Sequence, residues 1–301
     1  MPDWLLVAVR WGLYLALGGL FGLPAFSIYG SPRVARATAL TPRLPVIALS
    51  GIGIALSAAA ILLMTAAMSG VGIMAIDRET LTMILTQTSI GWAWIARIVG
   101  LFAILLLALP ARRWTHFHNW CSTVLAAIAV ASLAWTGHGA AGDGALGTAQ
   151  LVGDIIHLLA ASAWTGALVA FLMLMSTARD SEALAVAHAA LTGFARAGTI
   201  IVGLLIATGL LNLYILVGPD RLLALGASDY GRLLLAKLAL FGLMLVLAAG
   251  HRWRLAPALS DDPGHSAIAR LRMSLWLEFS AALAILAAVA YLGTLAPPAS
   301  L

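Results

Sequence analysis

Charge is scarce in this sequence. Of its 301 residues only 10% are Asp, Glu, Lys or Arg, where an ordinary globular chain carries about a quarter. A soluble chain of this length could bury a core, but it would lack the charged surface to cover one. Cysteine is nearly absent as well: Cys121 stands alone, which excludes a disulfide framework and any CxxC metal or redox motif. No Gly-rich phosphate loop occurs, so direct ATP-driven chemistry finds no support. Ser/His/Asp and HExxH arrangements are missing too, and the chain is expected not to be an enzyme. The net charge of +5 and pI near 10.0 come without a dense basic run, so a nucleic-acid partner is not expected.

What remains is apolar. Hydrophobic residues make up 62% of the chain and its mean hydropathy is +1.01. A hydrocarbon core about 30 Å thick needs roughly 20 apolar helical residues. The segments 5–29, 44–67, 92–110, 120–137, 150–175, 194–217, 231–250 and 272–293 meet that requirement. The expected fold is therefore all-α: a polytopic transmembrane bundle of about eight helices in one integral membrane domain over 1–301, with membrane lipid as its solvent. Met1-Pro2-Asp3-Trp4 has no positive n-region, and the apolar run behind it is too long for a signal peptide, so it reads as a retained first helix. Within the long connection near 68–90, Asp77-Arg78-Glu79 followed by Leu81, Ile84 and Leu85 suits a short amphipathic helix on the membrane surface.

Basic residues set the orientation. One set of connections holds Arg33, Arg36, Arg43, Arg112, Arg113, Arg179, Arg196, Arg252, Arg254, Arg270 and Arg272, and the opposite set only Arg78, Arg221 and Arg232. The richer set is cytoplasmic, which places both termini outside. An internal repeat is also visible. Ile90-Gly91, Ala96-Arg97 and Arg112-Arg113-Trp114 are echoed 140 residues on by Tyr230-Gly231, Ala236-Lys237 and Arg252-Trp253-Arg254. That spacing suggests two tandem four-helix halves, 1–145 and 146–301, in the same orientation.

Ionisable groups inside a bilayer are functional candidates by default. Here they are Arg10, Arg97, Asp154, His157, Lys237 and Glu278, with His138 at the outer end of the fourth span. The bases Arg10, Arg97 and Lys237 lie near outer helix ends, where snorkelling to the interface is an equal reading. In the fifth span Asp154 and His157 stand three residues apart, and Ala161 and Trp164 continue the stripe. Small residues on that helix turn the stripe toward the bundle interior. His138 and His157 share one depth and are joined by a short Gly-rich loop, so both imidazoles can converge on a metal. Met64 and Met68 end the second span nearby. Thioether and imidazole donors favour Cu(I) over Cu(II), although Met is also an ordinary apolar filler. Asp154 is expected to orient an imidazole, with Glu278 and His251 as inner-side stations.

Several stretches together resemble the CopD family, the copper resistance D proteins of bacterial inner membranes. They are Gly137-His138-Gly139, His157 through Trp164-Thr165-Gly166-Ala167-Leu168, and Thr208-Gly209-Leu210 with Leu216-Val217-Gly218. Tyr230-Gly231-Arg232 with Lys237, Arg252-Trp253-Arg254-Leu255-Ala256-Pro257, and Leu277-Glu278 with Leu292-Gly293-Thr294-Leu295-Ala296-Pro297-Pro298 complete the set. The resemblance spans nearly the whole chain. It implies copper handling across the inner membrane, described as uptake in concert with a separate periplasmic copper-binding protein of CopC type. It implies no ligand set and no oligomeric state. The rival expectation is a haem-binding redox or sensing bundle, in which Arg10, Arg97 and Lys237 pair with propionates.

Overall fold

In a computed structural model, residues 3–29, 43–111, 114–137, 144–177, 181–255 and 265–300 are described. Nine α-helices occur among them, and no strand. They are α1 (Trp4–Tyr29), α2 (Arg43–Ser69), α3 (Arg78–Gln87), α4 (Ser89–Ala108), α5 (His116–Ala131), α6 (Gly144–Thr177), α7 (Ser181–Leu216), α8 (Asp229–Gly250) and α9 (His265–Leu292). All but α3 are long and apolar enough to cross a bilayer, which bears out the eight-span expectation. The outward faces carry Val99, Phe102, Leu106, Leu210, Val246 and similar residues, as a helix facing lipid tails requires. Trp4, Trp92, Trp120 and Trp253 are exposed near helix ends, in an aromatic belt.

The short α3 lies where the amphipathic pattern places it, with Ile84 buried. Its cap is Asp77, whose carboxylate accepts from the Thr80 amide at 2.7 Å and the Thr80 hydroxyl at 2.8 Å. Those bonds hold the Asp77 carboxyl below its ordinary range. Span four ends differently from expectation: α5 gives way to a tighter 3-10 turn over Ser132–Thr136. A π turn, His251–Leu255, follows α8.

The spans form two groups. In the first, α1, α2, α4 and α5 pack in a closed ring around Leu13, Leu17, Leu20, Leu101 and Ile104. In the second, α6 packs on α7 and α9, and α9 on α8. There α7 and α8 share no packed seam across the membrane; the π turn meets α7 at the inner end, where Arg252 donates to Thr199 Oγ1 at 3.1 Å. The groups join where α1 crosses α6. A Cβ on Gly166 would sit 2.4 Å from Gly22 backbone carbon, so both positions must be glycine for the helices to approach this closely.

Candidate functional site: a cavity in the second group

Because α7 and α8 stand apart, α1, α6, α7, α8 and α9 enclose a cavity of about 340 Å³. It runs from Gly137, Tyr230 and Gly293 at the outer end to Trp164, Phe241 and Met244 at the inner end. Most of its wall is apolar, and Asp154, His157, Lys237, Asn212 and Arg10 line it together with Tyr14, Thr165 and Tyr230. Arg10, Asp154, His157 and Lys237 were legible in the sequence, as was Trp164 on the stripe that Asp154 and His157 begin.

His157 Nδ1 lies 2.8 Å from Thr208 Oγ1. The single Thr208 hydroxyl proton is already donated to Leu204 O at 2.6 Å, so Thr208 Oγ1 accepts and Nδ1 carries the imidazole proton. The lone pair is thereby assigned to Nε2, which has no protein partner among the described residues. A ring nitrogen fixed by a hydrogen bond, with the other left bare, is the form in which histidine ligates metal.

Among the described residues the Asp154 carboxylate meets Asn212 on α7. Its Oδ1 accepts from Asn212 Nδ2 at 2.6 Å, and the carboxylate acts electrostatically on Lys237 and Tyr230. Thr208 fixes the imidazole, because the Asp154 and His157 side chains each reach across to α7, where Thr208 and Asn212 sit one turn apart. Lys237 in turn acts on His157. A cation at Nε2 therefore shares the cavity with the like charges of Lys237 and Arg10, which Asp154 offsets in part.

The other expected residues are distributed elsewhere. His138 lies outside the described residues; Gly137 before it lines the cavity. Met64 lines a different, smaller cavity, which Arg97 also lines, and Met68 is exposed. The thioether that does line the His157 cavity is Met244, 4% exposed, whose place in an unbroken apolar run gave no signal. Snorkelling fails for Arg97, which is 1% exposed and donates to Ser132 Oγ at 2.8 Å and Ser132 O at 3.3 Å. The 3-10 turn brings that carbonyl to it. Lys237 likewise faces the cavity instead of the interface.

Beneath the cavity, Trp164 Nε1 donates to Glu278 Oε1 at 2.8 Å. The other carboxylate oxygen faces His251 Nδ1 at 3.2 Å, and His251 Nε2 lies 2.8 Å from Ser274 Oγ. Glu278 is 1% exposed and His251 7%, so the pair expected at the inner side is assembled and buried. No group of three or more His, Cys, Asp or Glu side chains converges among the described residues.

Fold and site together define a multi-pass membrane protein whose cavity between α7 and α8 presents a bare imidazole nitrogen. Comparison with known proteins adds the family. The chain matches "Copper resistance protein D-like, N-terminal domain" over residues 1–148 and "Copper resistance protein D" over residues 188–292. It is 37% identical to copper resistance protein D of Pseudomonas syringae pv. tomato, covering 99% of this chain and 98% of that one. Inner membrane protein YebZ of Escherichia coli K12 is 26% identical over 97% of this chain and 98% of its own length. Copper transport protein CutJ of Bacillus subtilis 168 is 32% identical over 58% of this chain and 31% of its own. No solved structure matches significantly. The chain belongs to the copper resistance protein D family.

Proposed function

We propose that this protein moves copper across the bacterial inner membrane, receiving it from the periplasmic side in the cavity between α7 and α8. The observation that carries this reading is the bare Nε2 of His157, held by Thr208 in a mostly apolar cavity. Met244 supplies a soft donor in the same cavity, and His138, next in sequence to Gly137, is the second imidazole the sequence offers. This donor chemistry favours Cu(I). The copper proteins among the relatives support the same cargo. A periplasmic protein of CopC type would deliver it. The inner-side station would be Glu278 with His251, reached past Trp164.

The halves 1–145 and 146–301 are, in this reading, copies of one unit. Thr88 Oγ1 accepts from the Gly91 amide and Ser228 Oγ from the Gly231 amide, at 3.0 and 3.1 Å. In both places a glycine Cβ would strike a carbonyl of the preceding surface segment. Arg97 and Lys237 then occupy equivalent positions.

Replacing Thr208 tests the role given to the imidazole. Thr208→Val keeps the shape, removes the acceptor and frees the tautomer. Cu(I) affinity of the purified protein, measured by competition with a chromogenic chelator, is expected to fall about 10–100-fold. An unchanged affinity would remove His157 as a ligand. Haem is the rival occupant, favoured by Arg10 and Lys237 beside His157, and a Soret band in the purified protein would establish it instead.

A further inference from the structure

The first helical group holds a cavity of its own, about 60 Å³, lined among others by Arg10, Tyr14, Met64, Trp94, Arg97 and Thr136. Its two guanidiniums are incompletely satisfied. Arg97 is buried and spends Nε and Nη2 on Ser132 Oγ and O, and Nη1 has no protein acceptor among the described residues. Arg10 donates through Nη1 to Gly293 O at 3.1 Å, while its Nε is buried without an acceptor.

Nothing in this group balances that charge. The only acids in residues 1–137 are Asp3, Asp77 and Glu79, all outside the hydrophobic spans. Asp3 caps α1 through the Leu5 and Leu6 amides, and Asp77 caps α3. In the other cavity, which Arg10 also lines, the Asp154 carboxylate accepts from Asn212. Ser132 offers Arg97 only dipoles, which satisfy hydrogen bonds but leave a net charge in a low-dielectric bundle. The cavity also presents the Tyr14 and Thr136 hydroxyls and abuts the Trp94 indole, whose N–H is already given to Ser57 O at 2.8 Å.

We propose that this cavity binds a small monovalent anion of halide size, held between Arg10 and Arg97. A space of about 10–15 Å³ holds one water, so this one admits a halide with a few waters and no phospholipid headgroup or porphyrin. Arg10 also lines the His157 cavity, so the anion would lower the positive potential that copper meets there. The proposal rests on the guanidiniums and holds whether or not copper is the cargo.

The test uses the full chain purified in detergent, in sodium gluconate, with bromide exchanged in at constant ionic strength. The thermal midpoint is expected to rise with bromide and saturate, and chloride is expected to substitute for it. In Arg97→Gln the apparent bromide affinity is expected to fall about tenfold or more. A midpoint indifferent to anion identity would overturn the proposal, because water alone would then fill the cavity. The same bromide dependence in Arg97→Gln would overturn it as well. Should that variant fail to fold, chloride NMR on the wild-type protein decides. Line broadening displaced by bromide supports the site, and its absence or insensitivity to bromide contradicts it.

Discussion

His157→Ala is expected to abolish copper-dependent accumulation in cells producing the protein, with its amount in the membrane unchanged. The Thr208 hydroxyl fixes which imidazole nitrogen carries the proton, so the Nε2 lone pair is committed to the cavity in every molecule. Alanine removes that donor and leaves Thr208 Oγ1 with its bond to Leu204 O intact, so little else should change. The imidazole is the only histidine side chain lining the cavity among the described residues. Met244 alone cannot replace it, since thioether is a weak donor. Unchanged accumulation would place copper elsewhere in the chain.

Gly166→Ala is expected to separate the two helical groups. Its Cβ would fall 2.4 Å from the Gly22 Cα and carbonyl carbon, and backbone cannot rotate aside as a side chain can. The α1–α6 crossing must open, at a cost of about 3 kcal/mol. A sharply lowered thermal midpoint in detergent is the readout. Gly203→Ala is the matched control, because a Cβ there meets nothing within 4 Å and a helical alanine is favoured over glycine by about 1 kcal/mol. Equal midpoints for the two variants would mean that the crossing is not the joint between the groups.

The spans were legible because a bilayer imposes length and apolarity together, and the sequence has little charge to confuse the pattern. Helix ends were less so. The span expected at 150–175 begins at Gly144, and the one expected at 194–217 belongs to a helix starting at Ser181. Hydropathy reports where the hydrocarbon lies, not where the backbone stops being helical. At about 1.5 Å per residue, the 34-residue α6 is about 51 Å long and projects beyond a core of about 30 Å.

Within the site, Asp154, His157 and Trp164 were legible because their spacing is a property of one helix. Their partners were not, since the register of α6 against α7 and α9 is set by packing. Thr208 and Asn212 stand four residues apart in an apolar span, a polar stripe that could have marked the facing helix. Arg97 shows the limit of depth as an argument: distance from a helix end allows either snorkelling or burial. Only the neighbouring α5, with its turn at Ser132, decides for burial. Met64 and Met244 look alike in sequence, and only the gap between α7 and α8 makes the second one part of the cavity.

The central claim is that His157 ligates copper through Nε2. X-ray absorption at the copper edge tests it most directly, on purified protein loaded with Cu(I) to one equivalent, beside His157→Ala treated identically. The account expects imidazole scattering from the wild-type sample that is lost in the variant. A wild-type protein that retains no copper, or a spectrum the substitution leaves unchanged, would contradict it.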